Sequence, residues 1–221
     1  MTLKINGADI IDVKSFIDEN LPLAAVPSLP EIRLHLAHPG SRLKQLEQKG
    51  NAAAPYWAYP WPGGVALARY VFDHPETVRG RRVMDLGSGS GLVAIAAAKA
   101  GASQVVAAEI DRNAIAALEL NLAANGVIAA IIDRDITGDE PAAIDLILVG
   151  DLFYERRLAA RVTAFLDRCT GEGIEVLVGD IGRKHLPLPR LRPLAEYGVA
   201  DFGDAKGEAP RRGHVFSFEA G

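Results

Sequence analysis

From residue 83 onward the apolar residues follow two alternating arrangements. Short runs rich in valine, isoleucine and leucine at 83–86, 104–108, 128–132, 144–149 and 174–178 read as buried strands. Between them, residues 92–100, 114–125 and 156–169 carry apolar positions at helical spacing, with Gly101, Gly126 and Gly171 where left-handed caps are expected. Strand followed by helix, repeated, predicts an α/β fold on a mostly parallel sheet. In the last helix Leu158, Val162, Phe165, Leu166 and Cys169 share one face, enough to cover one side of a sheet. Arg157, Arg161 and Asp167 fall opposite and are expected to be solvated surface.

The ends of the chain break this rhythm. Residues 197–202 and 215–218 are apolar and are separated by a polar stretch from Gly203 to Gly213, which predicts a C-terminal antiparallel hairpin. Residues 1–54 show a helix at 13–19, a strand at 32–37 and a charged helical piece at 42–48, read as a small N-terminal cap on a main unit of residues 55–221. The tetrapeptide Leu148-Val149-Gly150-Asp151 recurs as Leu177-Val178-Gly179-Asp180. In a doubly wound sheet both copies end a strand on the ligand-binding edge.

Composition narrows the function classes. A chain of 221 residues, 49% hydrophobic, suits one closed core, and its formal net charge of −4 supplies no basic field for nucleic acid. No run of 18 apolar residues could span a bilayer, and Asp9 and Asp12 interrupt the early apolar stretch in a way signal peptides do not. The single cysteine, Cys169, lies on an apolar helix stripe and is expected to be a buried, inert thiol. A monomer in a reducing compartment is expected: the cytoplasm of a bacterium, or the mitochondrial matrix only if a transit peptide is missing from this chain. The histidines at 35, 38, 74, 185 and 214 are scattered, so no metal is expected. Arg156, Arg157 and Arg183 are expected near one sheet edge, as surface charge that an acidic partner could meet.

The candidate chemistry centres on Val83-Met84-Asp85-Leu86-Gly87-Ser88-Gly89-Ser90-Gly91. An apolar run that stops at alternate glycines and enters an alanine-rich helix predicts a strand, a tight turn and a helix N-terminus, with backbone open to close approach by a ligand. About 20 residues on, Glu109 ends the next strand, where a carboxylate accepts hydrogen bonds from a ribose hydroxyl pair. A dinucleotide fingerprint wants glycine or alanine where Leu92 stands, which argues against an NAD-dependent oxidoreductase. Ile110 is placed to pack on an adenine face, and Asp135, with Ile136 beside it, to accept the adenine amino group.

Several segments are specific. Pro55-Tyr56-Trp57-Ala58, Trp61-Pro62-Gly63-Gly64, the run from Asp85 to Gly91, Gly150-Asp151-Leu152-Phe153-Tyr154, and Gly179-Asp180 with Gly182-Arg183 resemble the lysine methyltransferases that modify the β subunit of electron transfer flavoprotein. Pro30-Glu31-Ile32-Arg33-Leu34 is similar too, so the resemblance covers nearly the whole chain and is weakest over 184–221. It implies a Rossmann-like seven-stranded methyltransferase sheet that binds S-adenosylmethionine and releases S-adenosylhomocysteine. The implied donor contacts are Trp57, Trp61, Asp85, Gly87, Ser88, Gly89, Gly91, Glu109, Ile110, Asp135, Ile136 and Gly150, with Tyr59 in an aromatic lid. Asp151 and Tyr154 would be catalytic, facing the methyl group from the end of the fourth strand. Nucleic-acid and glutamine-amide methyltransferases carry asparagine and two prolines there, whereas a carboxylate suits a cationic product. The implied partner is a protein substrate, the electron transfer flavoprotein β subunit. Another protein, such as a ribosomal one, or a small amine would use the same donor residues.

Overall fold

The structure is a computed structural model and describes residues 3–5, 8–10, 12–47, 54–140, 143–199 and 211–221. In chain order the strands are β1 (Leu3–Ile5), β2 (Ala8–Ile10), β3 (Leu23–Val26), β4 (Leu29–His35), β5 (Arg82–Leu86), β6 (Gln104–Ala108), β7 (Ala130–Ile132), β8 (Leu146–Gly150), β9 (Glu175–Asp180), β10 (Leu191–Val199) and β11 (Arg211–Phe218). The helices are α1 (Val13–Asn20), α2 (Lys44–Glu47), α3 (Pro62–Asp73), α4 (Leu92–Lys99), α5 (Arg112–Ala124) and α6 (Arg156–Gly171). The main sheet has seven strands in the order β10-β11-β9-β8-β5-β6-β7, with β5 to β9 parallel and the last two antiparallel. This is the expected mostly parallel sheet with a C-terminal hairpin; residues 200–210, which include part of the expected connection, lie outside the described residues.

The strands are apolar on both faces because helices cover both. Val83, Val105, Ala107, Leu146, Leu148, Leu177 and Val215 join a core with α3, α4 and α5, while Met84, Val106, Ile147, Val149, Val176, Val178 and Phe216 join one with α6. Cys169 is buried in the second core, where burial pushes its thiol up to about 11, as its place on the stripe predicts.

Chain order turns back at β5, which has β6 on one side and β8 on the other. A crevice outside the carboxyl ends of these two strands is the switch point at which such sheets bind ligands. The repeated tetrapeptide ends β8 and β9, and Gly150 and Gly179 face each other in register.

Several features differ from expectation: the β1–β2 pair has no counterpart in the sequence reading, and β10 begins at Leu191 and not at 197. Helix α6 closes on Gly173, whose φ of 81° is left-handed, and not on Gly171, because the helix runs on to Gly171 itself. Strand β3, which pairs with β4, was not expected. Nor was α3, although Pro62 begins it in the position proline favours. Its glycine pair reads as a turn in sequence but serves contact: a Cβ on Gly63 would meet the Gly179 carbonyl at 2.5 Å, and one on Gly150 would meet the Gly64 Cα at 3.1 Å.

The N-terminal segment packs on α5. Phe16, Ile17 and Leu21 form a core with Trp57, Ala58, Ala114, Ala116 and Ala117. Buried Asn121 accepts from the His35 N–H at 2.9 Å and donates to the Ser90 carbonyl at 2.8 Å, tying β4 to the glycine turn.

Candidate functional site

The turn after β5 is built for close approach. Gly87, Gly89 and Gly91 have φ of 72°, 52° and 84°, a region that costs other residues roughly 1 kcal/mol or more. A Cβ on Gly87 or Gly91 would strike Leu152 or Leu118, whereas one on Gly89 would have only the Trp57 Cα within 4 Å, at 3.9 Å. Gly89 therefore faces open space. That space is a cavity of about 460 Å³ at the β5/β8 switch point, in the size range of small-molecule sites.

The cavity brings together Trp57, Trp61, Asp85, Gly87, Ser88, Gly89, Glu109, Ile110, Asp135, Ile136, Gly150, Asp151 and Tyr154. Of the residues expected to contact a donor, only Gly91 stands back from the wall: it caps α4 and its α-carbon faces Leu118. Glu109 is half-buried; its Oε2 accepts from the Gly89 N–H at 2.8 Å and its Oε1 from those of Ile110 and Asp111 at 2.7 and 2.9 Å. Ile110 is 63% exposed at the rim. Ser88 donates to the Asp85 carbonyl at 2.9 Å.

Asp85 and Asp151 are buried carboxylates of different kinds. Asp85 accepts from the Ala94 N–H at 2.9 Å, yet burial outweighs that bond and pushes its carboxyl up to about 7. Asp151 closes β8 with a φ of 56°, its Oδ2 accepting from the Gly64 N–H at 2.8 Å and its Oδ1 from Nε and Nη2 of Arg183 at 3.1 and 2.8 Å. Burial raises it to about 6 against the pull of that guanidinium. Asp180 is fully buried and raised by burial; its Oδ1 accepts from the Gly182 and Arg183 N–H groups, and its Oδ2 has no hydrogen-bond partner among the described residues.

An aromatic rim surrounds the mouth. The Tyr56 ring lies 5.9 Å from those of both Trp61 and Tyr154, and Tyr59 lies 6.1 Å from Trp61. Trp61 donates its indole N–H to the Tyr56 carbonyl at 2.7 Å and stacks under Arg183. Tyr154 is 52% exposed, and partial burial raises its hydroxyl above the usual range, helped by Tyr56, Glu109 and Glu155. Trp57 is buried, with an Nε1 that has no hydrogen-bond partner among the described residues.

Arg161 is solvent-exposed as expected, its side chain 55% accessible, and it also lines the cavity and pairs with Asp135 at 3.0 Å. Asp135 also accepts from the Thr137 hydroxyl and N–H at 2.7 and 2.9 Å, and that hydroxyl chiefly holds its carboxyl below the usual range. Arg183 reaches into the crevice and does not project as surface charge; nothing local in the sequence signals this, because its partner Asp151 lies 32 positions earlier. Among the described residues no cluster could hold a metal ion, and no helix is long and apolar enough to cross a membrane.

Residues 71–152 match the ribosomal protein L11 methyltransferase (PrmA) family. The chain is 44% identical over 199 residues to the electron transfer flavoprotein beta subunit lysine methyltransferase of Danio rerio, covering 86% of this chain and 77% of that protein. Its counterpart in Xenopus laevis is 38% identical over 213 residues, covering 93% of this chain and 87% of that protein. The crystal structure of ribosomal protein L11 methylase from Lactobacillus delbrueckii subsp. bulgaricus superposes with a TM-score of 0.50 at 26% identity, covering 69% of this chain and 77% of that one.

Proposed function

This chain belongs to the electron transfer flavoprotein beta subunit lysine methyltransferase family, and on that premise we propose that it methylates lysine side chains of the electron transfer flavoprotein β subunit. The observation that carries the reading is one cavity in which the glycine turn and Glu109 share a wall with Asp151, Tyr154 and the aromatic rim. The match to the L11 methyltransferase family favours a ribosomal protein instead, but it stops at residue 152, before β9, Arg183 and the C-terminal hairpin. The matches to the flavoprotein-directed enzymes cover 86% and 93% of the chain.

The cavity suits S-adenosylmethionine on three grounds. Gly89 leaves room where a side chain would intrude, Glu109 keeps about one of its roughly four lone-pair sites for a ribose hydroxyl, and Ile110 with Ile136 offers apolar contact to a purine. Asp135 is already engaged by Thr137 and Arg161, so it would meet an adenine amino group with a remaining lone pair. When bound, this group supplies a methyl carbon on a sulfonium, whose C–S bond breaks toward sulfur as the lysine nitrogen lone pair forms the C–N bond.

The chain's own residues do the rest. Gly64 and Arg183 occupy three of the roughly four lone-pair sites of Asp151, leaving one to accept an amine N–H and aim the nitrogen lone pair into the cavity. A fixed acceptor there is worth more in the transition state, when positive charge develops on nitrogen, than in the ground state. The Tyr154 hydroxyl is placed to orient the same amine, and Tyr56, Tyr59 and Trp61 exclude water over it. Helix α1 acts as a buttress in this scheme, backing Trp57 through Phe16 and Ile17.

Purified chain, methyl-labelled S-adenosylmethionine and purified electron transfer flavoprotein provide the test. Mass spectrometry should find methyl-lysine on the β subunit, and Asp151→Asn should lower turnover about 100-fold with S-adenosylhomocysteine affinity within about threefold of wild type. Asparagine is chosen because it tolerates the left-handed backbone at this position. Labelling of another protein alone would remove the assigned substrate, and unchanged turnover in the variant would remove Asp151 from its role.

A further inference from the structure

A lysine acceptor presents a difficulty that a carboxylate makes worse. It arrives as an ammonium and must shed a proton before it can attack, and a buried carboxylate with no other counter-ion would hold that proton on. In this site the carboxylate already has one. The Arg183 guanidinium gives Asp151 Oδ1 two hydrogen bonds, at 3.1 and 2.8 Å, stands 3.9 Å from Asp180 Oδ2, and lies 5.6 Å from the centre of the Trp61 ring.

The loop that delivers Arg183 is shaped for this task. Asp180 Oδ1 accepts from the Gly182 and Arg183 N–H groups at 2.8 and 2.7 Å, and the φ of 86° at Gly182 turns the chain back toward the crevice. Both anchors are therefore buried carboxylates, and the cation they hold is a guanidinium, which stays charged at any working pH.

We propose that Arg183 is a positioning residue that keeps the acceptor amine neutral, by serving as the counter-ion of Asp151 so that the incoming ammonium does not. The inference rests on the lysine methyltransferase reading and assigns a role to a residue outside the donor site. The ammonium proton passes to water at the open mouth before the rim closes on the substrate, and the neutral nitrogen then attacks. Without Arg183, Asp151 and the lysine would form the ion pair themselves, trapping the amine in its unreactive form.

Other ionisable groups face the cluster. Tyr154 feels Tyr56, Glu109, Glu155 and Arg183, and Glu155 feels His185. The two glutamates add to the negative field that Arg183 opposes. Burial raises the Asp151 carboxyl to about 6 against the pull of Arg183, so with the guanidinium in place it is mostly ionised at neutral pH.

The test compares wild type with Arg183→Gln, which keeps a donor but no charge, and Arg183→Lys, which keeps charge but not the fork. With saturating electron transfer flavoprotein as substrate, the rising limb of kcat against pH should move up by about one pH unit or more in R183Q and stay within a few tenths in R183K. Calorimetry of flavoprotein binding to the S-adenosylhomocysteine complex, in buffers of different ionisation enthalpy at pH 8, gives a second readout that needs no turnover. Wild type should release close to one proton per site and R183Q less than half of that. Coincident limbs and equal proton release in wild type and R183Q would overturn the role of Arg183 while leaving the methyltransferase reading intact. Failure of that reading would appear separately, as wild type that binds no S-adenosylhomocysteine.

Discussion

Glu109 holds the backbone N–H of Gly89 at 2.8 Å, joining the end of β6 to the tip of the turn that follows β5. The bond fixes the glycine turn and the carboxylate as one wall, with two further backbone N–H groups on the other oxygen orienting the side chain. A ligand hydroxyl would find the remaining acceptor site already aimed.

Replacing Glu109 by glutamine tests this wall. The single amide oxygen can accept either from Gly89 or from Ile110 and Asp111, and the NH2 group then faces the N–H groups left over, so the change disturbs the turn as well as removing a charged acceptor. Affinity for S-adenosylhomocysteine should fall by about 10-fold or more by calorimetry, together with a lower melting temperature than wild type. Unchanged affinity and an unchanged melting temperature would remove Glu109 from both roles.

Gly89 and Gly91 should respond differently to alanine, although both have left-handed backbone. At Gly91 the new methyl would collide with Leu118 inside the core as well as strain the helix cap, so stability should fall by about 2 to 4 kcal/mol. At Gly89 the methyl would enter the cavity, costing about 1 kcal/mol of stability but at least tenfold in donor affinity. Denaturant unfolding paired with calorimetry reads both effects, and identical profiles for the two variants would contradict the geometry.

These contrasts mark how far the sequence could be read. The strands from β5 to β9 and their crossover helices are legible because burial on both faces leaves continuous apolar runs, and glycine caps separate them. Helix α3 was not, since Gly63 and Gly64 signal a turn when seen alone; their purpose lies in Gly150 and Gly179, far along the chain. Gly89, Glu109 and Asp151 announce themselves through motif spacing. Arg161 and Arg183 do not, because an arginine on a helix or after a strand has the same local signature whether it meets water or a distant carboxylate. Asn121 was hidden in the same way, as one polar residue on an otherwise buried helix face.

Asn121→Leu should therefore be costly despite its similar volume. The change would leave the His35 N–H and the Ser90 carbonyl without their partner in a buried setting, each worth about 1 to 3 kcal/mol. A loss of about 2 to 4 kcal/mol, or roughly 5 to 10 °C in melting temperature, is expected. Because Ser90 belongs to the glycine turn, donor affinity should weaken as well. A variant as stable as wild type would mean the two backbone groups find other partners.

The carboxyl of Asp85 links the site to pH. Its folded value of about 7 lies above the ordinary 3.8, so between these limits the folded chain keeps a proton that the unfolded chain has released. Any stability from this group is fully present below about pH 4 and is lost as pH rises through about 7, the opposite of an ion-paired aspartate. The full shift corresponds to roughly 4 kcal/mol as a ceiling, since water entering the crevice would lessen it. Asp85→Asn has no such titration, and its amide oxygen can still accept from the Ala94 N–H. The unfolding free energy of D85N minus that of wild type should therefore move in favour of the variant by about 1 to 3 kcal/mol between pH 5 and pH 8, then level off. Urea unfolding at each pH measures this difference directly, and because every other titrating group is common to both proteins, a difference independent of pH would show that Asp85 stays ionised in the fold.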